Sequence, residues 1–117
     1  MREIIKDKGR LEHILKAMEY IIDFTKDVSF DIFVSNPMLR FAVIKNIEII
    51  GEACYMLSSE FKNKYPEVEW AAIIKMRHIL VHGYYQIEDE IAWAVVQKDL
   101  QPLKEKIIKI YNKENTH

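Results

Sequence analysis

Within eight residues the chain sets out a permanent cation, two imidazoles and a phenol: Arg77, His78, His82 and Tyr84. A guanidinium binds phosphate through parallel N–H donors and cannot shed its charge. An imidazole takes up and releases protons near neutral pH. A phosphate held by Arg77 with a proton moved by His82 is one chemistry this spacing allows. Two others stand beside it. Arg77 could pair with a glutamate of a neighbouring helix while His82 caps its own helix. His78 and His82, four residues apart, share a helical face as zinc-binding histidines can. No cysteine pair, aspartate or glutamate follows at ligand spacing, so no metal site is assigned.

The elements around these residues must position them. Trp70, Ile73, Ile74, Leu80 and Val81 form an i, i+3/i+4 ladder, which predicts one helix with one buried face. Arg77 falls on that face and needs a carboxylate, a phosphate or a wet cavity there. Gly83 is the natural stop, a residue suited to the left-handed conformation just past a helix end. His82 then sits at the C-terminus, where the partial negative charge of the carbonyls favours imidazolium. Arg77 and His82 point about 140° apart on an unbroken helix. A break at Gly83 would let them converge.

Upstream, Leu11, Ile14, Leu15, Met18, Ile21 and Ile22 make the apolar stripe of an amphipathic first helix, with His13 at its solvated edge. Residues 28–33 read as a connector with a turn of helix. Asn36 followed by Pro37 is a strong start signal for a second helix running to about Ser58. That helix is apolar on two sides: Leu39, Val43, Ile50 and Leu57 on one, Ala42, Ile49, Ala53 and Met56 on another. One side suits the core and the other a second copy of the chain. Gly51 costs about 1 kcal/mol against alanine in a helix interior, which points to close helix approach. Lys45, Glu48 and Glu52 share a face, either as an ion-pair ladder or with Glu48 or Glu52 orienting Arg77.

Residues 60–69 read as a polar, solvated connection containing Pro66. Glu88 to Glu90 acidify the first turn of a fourth helix whose Ile91, Ala94 and Val95 face inward. Pro102 breaks or bends it, and Leu100, Leu103, Ile107, Ile110 and Tyr111 continue the stripe behind a lysine-rich outer face.

At 117 residues the chain is read as one domain, residues 1–117. Half its residues are hydrophobic and 30% are charged, a globular composition. The net charge of −1 argues against nonspecific coating of nucleic acid, which depends on many cationic contacts. One cysteine, Cys54, reads as packing and fits a reducing cytoplasm. The first ten residues lack a signal-peptide core, and no stretch is apolar for the roughly 18 residues a membrane span needs.

The pattern Arg77, four residues, His82, one residue, Tyr84 resembles the signature of the HEPN ribonucleases, and more narrowly of their HepT-like toxins. The resemblance continues through residues 10–15, 46–53, 66–70, 91–93 and 99–103. It implies an all-α, up-and-down four-helix bundle, its last helix bent or split near Pro102, that works as a homodimer. It also implies a metal- and cofactor-independent endoribonuclease toxin cutting tRNA or mRNA. In such proteins two copies of the motif face a shared cleft, where Arg77 and His82 would be catalytic. There the 2′-hydroxyl of RNA needs a base, the departing 5′-oxygen an acid, and the phosphorane cations. Tyr84 matches the tyrosine to which a partner antitoxin, a minimal nucleotidyltransferase, attaches AMP. His78 departs from the family, which usually has a small polar residue there, often asparagine. It stands with Glu48 and Glu52 as a supporting candidate. The competing reading is a catalytically silent module that binds RNA or the transferase.

Overall fold

The computed structural model describes the backbone of residues 2–82 and 85–115 and the side chains of residues 7–82 and 89–115. Seven α-helices occur among the described residues, and no strand: α1 (Arg2–Thr25), α2 (Phe30–Ser35), α3 (Pro37–Met56), α4 (Ser59–Lys64), α5 (Trp70–His82), α6 (Tyr85–Ala94) and α7 (Leu100–Glu114). A π-helical turn, Val95–Asp99, joins α6 to α7. The long segments α1, α3, α5 and α6–α7 form the expected up-and-down bundle. Within it α3 packs on both α1 and α5.

Local chemistry sets the boundaries. Asp27 takes a φ of 59°, a left-handed conformation an aspartate tolerates, and the chain turns there out of α1. The Ser29 hydroxyl accepts from the Ile32 amide to start α2. Asn36 accepts from the Leu39 amide at 3.1 Å, and Pro37 takes the first position of α3, as its sequence predicts.

The core is the meeting of three stripes: Leu11, Ile14 and Met18 of α1, Val43, Ile47 and Ile50 of α3, and Ile107 and Ile110 of α7. Burying each such side chain contributes about 1.5–3 kcal/mol relative to exposure. Phe33 of α2 is fully buried, its ring centroid 5.1 Å from that of Trp93, so the connector of residues 28–33 is a working part of the core. In α6 Ala92 is fully buried, while Ile91, Ala94 and the following Val95 are half-buried.

Two segments differ from their sequence reading. Residues 60–69 are no solvated loop: Ser58 caps the short helix α4, and Phe61, Tyr65 and Val68 turn inward. The signal was masked because Ser58 is itself held from far away, by the buried carboxylate of Asp7, which accepts from the Ser58 amide and hydroxyl at 2.9 and 2.7 Å. The irregularity expected near Pro102 takes the form of the π turn just before it. Pro102 has no N–H for the carbonyl four residues earlier. The Leu100 amide reaches back five residues to Val95, loosening the helix where that bond is lost.

An ion pair ties α3 to α6. Arg40 is 8% exposed and its Nε donates to Asp89.

Candidate active site

The last two turns of α5 carry the candidate residues. Trp70 and Leu80 bury its inner face, but Val81, the last rung of the apolar ladder, is 41% exposed. The helix rotates it outward toward the imidazole side.

Arg77 lies where α5 crosses α3. Gly51 makes this possible: a Cβ on the glycine would stand 2.4 Å from the Arg77 Cβ and 3.2 Å from its Cγ. Any larger residue would drive the helices apart. Glu52, the next residue on α3, brings a carboxylate oxygen 3.7 Å from the Arg77 Nη2, an ion pair too long for a hydrogen bond. With the Glu52 side chain largely exposed, the attraction is weak. The Nε of Arg77 is buried and donates to no partner among the described residues. Glu48 pairs with no described residue, and the ladder of Lys45, Glu48 and Glu52 does not form. Of the two glutamates offered as orienting groups, Glu52 is the one beside the arginine.

α5 continues unbroken through His82. Arg77 and His82 therefore diverge by the helical angle and do not converge within one chain. His82 instead meets His78. Their ring centroids are 4.7 Å apart with the planes tilted by 57°, and both residues are exposed. The stop at Gly83 and the phenol of Tyr84 lie outside the described residues.

The exposed side of α3 adjoins this end of α5. Met38, Phe41, Tyr55 and Met56 are between 48% and 84% exposed. With Ile49, Lys45 and Glu48 they fall within about 60° of Glu52 at 100° per residue. The second apolar side of α3 is thus real but centred differently from its sequence reading: Ala53 is buried, and the largest exposed groups are Met38, Phe41 and Tyr55. An alternation of apolar and charged residues hid it.

Among the described residues, Arg77, His78 and His82 line none of the three best-formed pockets. A cavity of about 300 Å³ opens elsewhere, between α3, α5 and the π turn, against Ile50, Met76 and Leu103. A cation and imidazoles presented on a surface suit a polymer better than an engulfed small molecule. Among the described residues no group of three or more histidine, cysteine, aspartate or glutamate side chains is placed to hold a metal. Cys54 is fully buried, and burial pushes its thiol up to about 12, so it is packing and no nucleophile.

The family described as "Ribonuclease HepT-like" matches residues 14–110 of this sequence. The chain belongs to the ribonuclease HepT-like family. Its match spans the helices from mid-α1 to the end of the core in α7, with the Arg77–His82 segment inside it. A Methanocaldococcus jannaschii protein named "Putative RNase" is 37% identical over 100 residues, 86% of this chain and 92% of that one. A "Probable ribonuclease HepT" of Thermococcus cleftensis is 37% identical over 103 residues, 88% of this chain and 94% of the relative. A longer M. jannaschii protein, named a gamma-glutamylcyclotransferase and RNase of the same standing, is 44% identical over 100 residues; these make up 86% of this chain and 45% of that protein. No solved structure matches the chain significantly. Among the described residues no helix of this HepT-like protein is long and apolar enough to cross a membrane.

Proposed function

We propose that this chain is the endoribonuclease toxin of a two-component toxin–antitoxin pair, cutting RNA without a metal in a cleft between two copies of itself. Membership of a ribonuclease family supports RNA as the substrate class, with tRNA and mRNA both open. The observation that carries the mechanism is the pairing of a buried Arg77 Nε, without a partner among the described residues, with an exposed imidazole five residues on, at the end of the same helix.

An N–H donor buried without a partner costs about 1–3 kcal/mol, and a phosphate oxygen brought to that guanidinium would offset the cost. One chain holds its Arg77 and His82 too far apart in angle to serve one phosphate together. Two chains joined along the exposed stripe of α3 bring two arginines and two histidines to one groove. In that groove one neutral His82 removes the proton of the 2′-hydroxyl as its oxygen bonds to phosphorus. The protonated His82 of the other copy gives a proton to the 5′-oxygen as the P–O5′ bond breaks, and the arginines hold the phosphorane charge. The products are a 2′,3′-cyclic phosphate and a free 5′-hydroxyl.

Tyr84, two residues beyond His82, is the proposed point of control. Transfer of AMP to its phenol by a nucleotidyltransferase antitoxin would place phosphates where RNA must enter, blocking it by bulk and charge.

The test is cleavage of total cellular RNA by wild type and His82→Ala in EDTA, with the assembly state of each checked by light scattering. Cleavage by wild type and its loss in a folded, dimeric mutant is the expected result. If neither protein cuts RNA, the chain is a binding module. Equal cutting of DNA would remove the 2′-hydroxyl mechanism.

A further inference from the structure

We infer that His78 and His82 form a two-imidazole site for a borderline transition-metal ion, zinc above all, and that its occupation switches the nuclease off. The site is a matter of geometry on α5; the switch rests on the nuclease reading above.

Four residues on a regular helix bring two side chains to within about 40° of one another, one turn apart. Here the imidazoles are already neighbours, 4.7 Å between centroids with their planes tilted by 57°, on an exposed surface at the end of a helix whose other face is packed. Zinc takes imidazole nitrogen at about 2.0–2.1 Å, which sets two nitrogens of a tetrahedral site about 3.3 Å apart. Rotation of the two solvent-facing side chains is the movement that would bring their nitrogens to that distance. Among the described residues no third histidine, cysteine or carboxylate completes the coordination, and the two imidazoles are the ligands supplied there. Such a site is moderate in affinity and exchangeable. It suits a regulatory ion and not a structural one. Lys75, exposed three residues before His78, adds a like charge that weakens the site without closing it.

Imidazole ligands select for copper, zinc and nickel, while magnesium and calcium prefer oxygen. The inference therefore concerns the first group. A metal-bound imidazole nitrogen has no lone pair left to accept a proton. With zinc across the pair, His82 can serve neither as base nor as acid.

The probe is zinc itself, titrated calorimetrically into full-length wild type, His78→Asn and His82→Asn. Alongside, RNA cleavage by wild type and His78→Asn is measured as the ratio of each protein's rate with zinc to its own rate in EDTA. Wild type should bind zinc, and each single substitution should weaken binding by about 10²-fold through loss of the chelate. Zinc at saturating concentration should abolish wild-type cleavage, and magnesium should not. Zinc binding that is unchanged in either variant, or absent in wild type, overturns the site whatever the substitutions do to turnover. Binding that requires both histidines while wild type still cuts at full rate overturns the switch. If binding behaves as expected but wild type cuts no RNA in EDTA, the site stands and the nuclease reading fails.

Discussion

The stem of Arg77 lies against the bare Cα of Gly51, closer than any side chain on that residue would permit. Gly51→Ala gains about 1 kcal/mol of helix propensity but inserts a methyl group 2.4 Å from the Arg77 Cβ. The expected net effect is a loss of about 1–3 kcal/mol as α3 and α5 part, with a fall in RNA cleavage because the guanidinium moves. Urea denaturation and cleavage rate, measured on one preparation, check both. A stabilised, fully active variant would show that the two helices need no such contact.

Arg77→Lys keeps the charge and loses the fork. A lysine cannot offer an Nε–H and a parallel donor to one phosphate. Cleavage should drop by about 10²-fold or more, with the melting temperature changed little. The partial exposure of Arg77 and the weak tie to Glu52 predict that Glu52→Gln costs far less in activity than the lysine substitution. Comparing the two rates ranks phosphate binding against orientation by the glutamate.

How much of this was legible beforehand depended on the distance over which each signal acts. The long helices, the cap at Asn36 and the close approach at Gly51 follow from short-range periodicity and from one glycine in a poor place. Arg77, His78 and His82 stand in the sequence as plainly as they do on α5. Arg40 gives no such notice. It reads as one more charge at the start of α3, and its partner Asp89 is 49 residues away. Likewise α4 depends on Asp7, 51 residues upstream of the serine it fixes. Val81 continues an apolar ladder in sequence, but the ladder faces the core only as far as Leu80.

The Arg40–Asp89 pair is nearly dry, with side-chain exposures of 10% and 13%. Removing Asp89 takes a carboxylate away from a buried guanidinium. Asp89→Ala should destabilise the protein by about 1–3 kcal/mol, and Asp89→Asn, which still accepts a hydrogen bond, by less. Chemical denaturation of the three proteins gives the order.

Phe41 is 62% exposed on the outer stripe of α3, away from the core. Phe41→Glu should leave the fold intact. If two copies pair along that stripe, the substituted protein is monomeric by light scattering and its cleavage falls with its dimer fraction. A dimeric, active Phe41→Glu protein would move the interface elsewhere.

Alkali offers an independent check on packing around Cys54. Burial raises this thiol from 9.0 to about 12 in the folded state, so the native protein holds the proton more tightly than the unfolded chain does. Its contribution to stability is full below pH 9 and is lost as pH rises through that window toward 12. Tyr65, raised by burial and by its bond to Glu114, adds a loss of the same sign. Denaturation midpoints of wild type and Cys54→Ala should therefore converge with increasing pH, and the native thiol should ignore thiol reagents until the chain unfolds.

The bundle has two poles of unlike character. At one, Asp7 near the start of α1 holds Ser58, and Glu114 at the end of α7 bonds Tyr65 and Lys64 at 2.9 Å from the lysine. Asp7 of α1 and Glu114 of α7 are both fastened to the short segment that leads into α5. The imidazoles lie at the far end of that same helix, about 20 Å away by its length. The contacts that fasten α1 and α7 thus lie a helix length from the histidines and leave that pole clear of them.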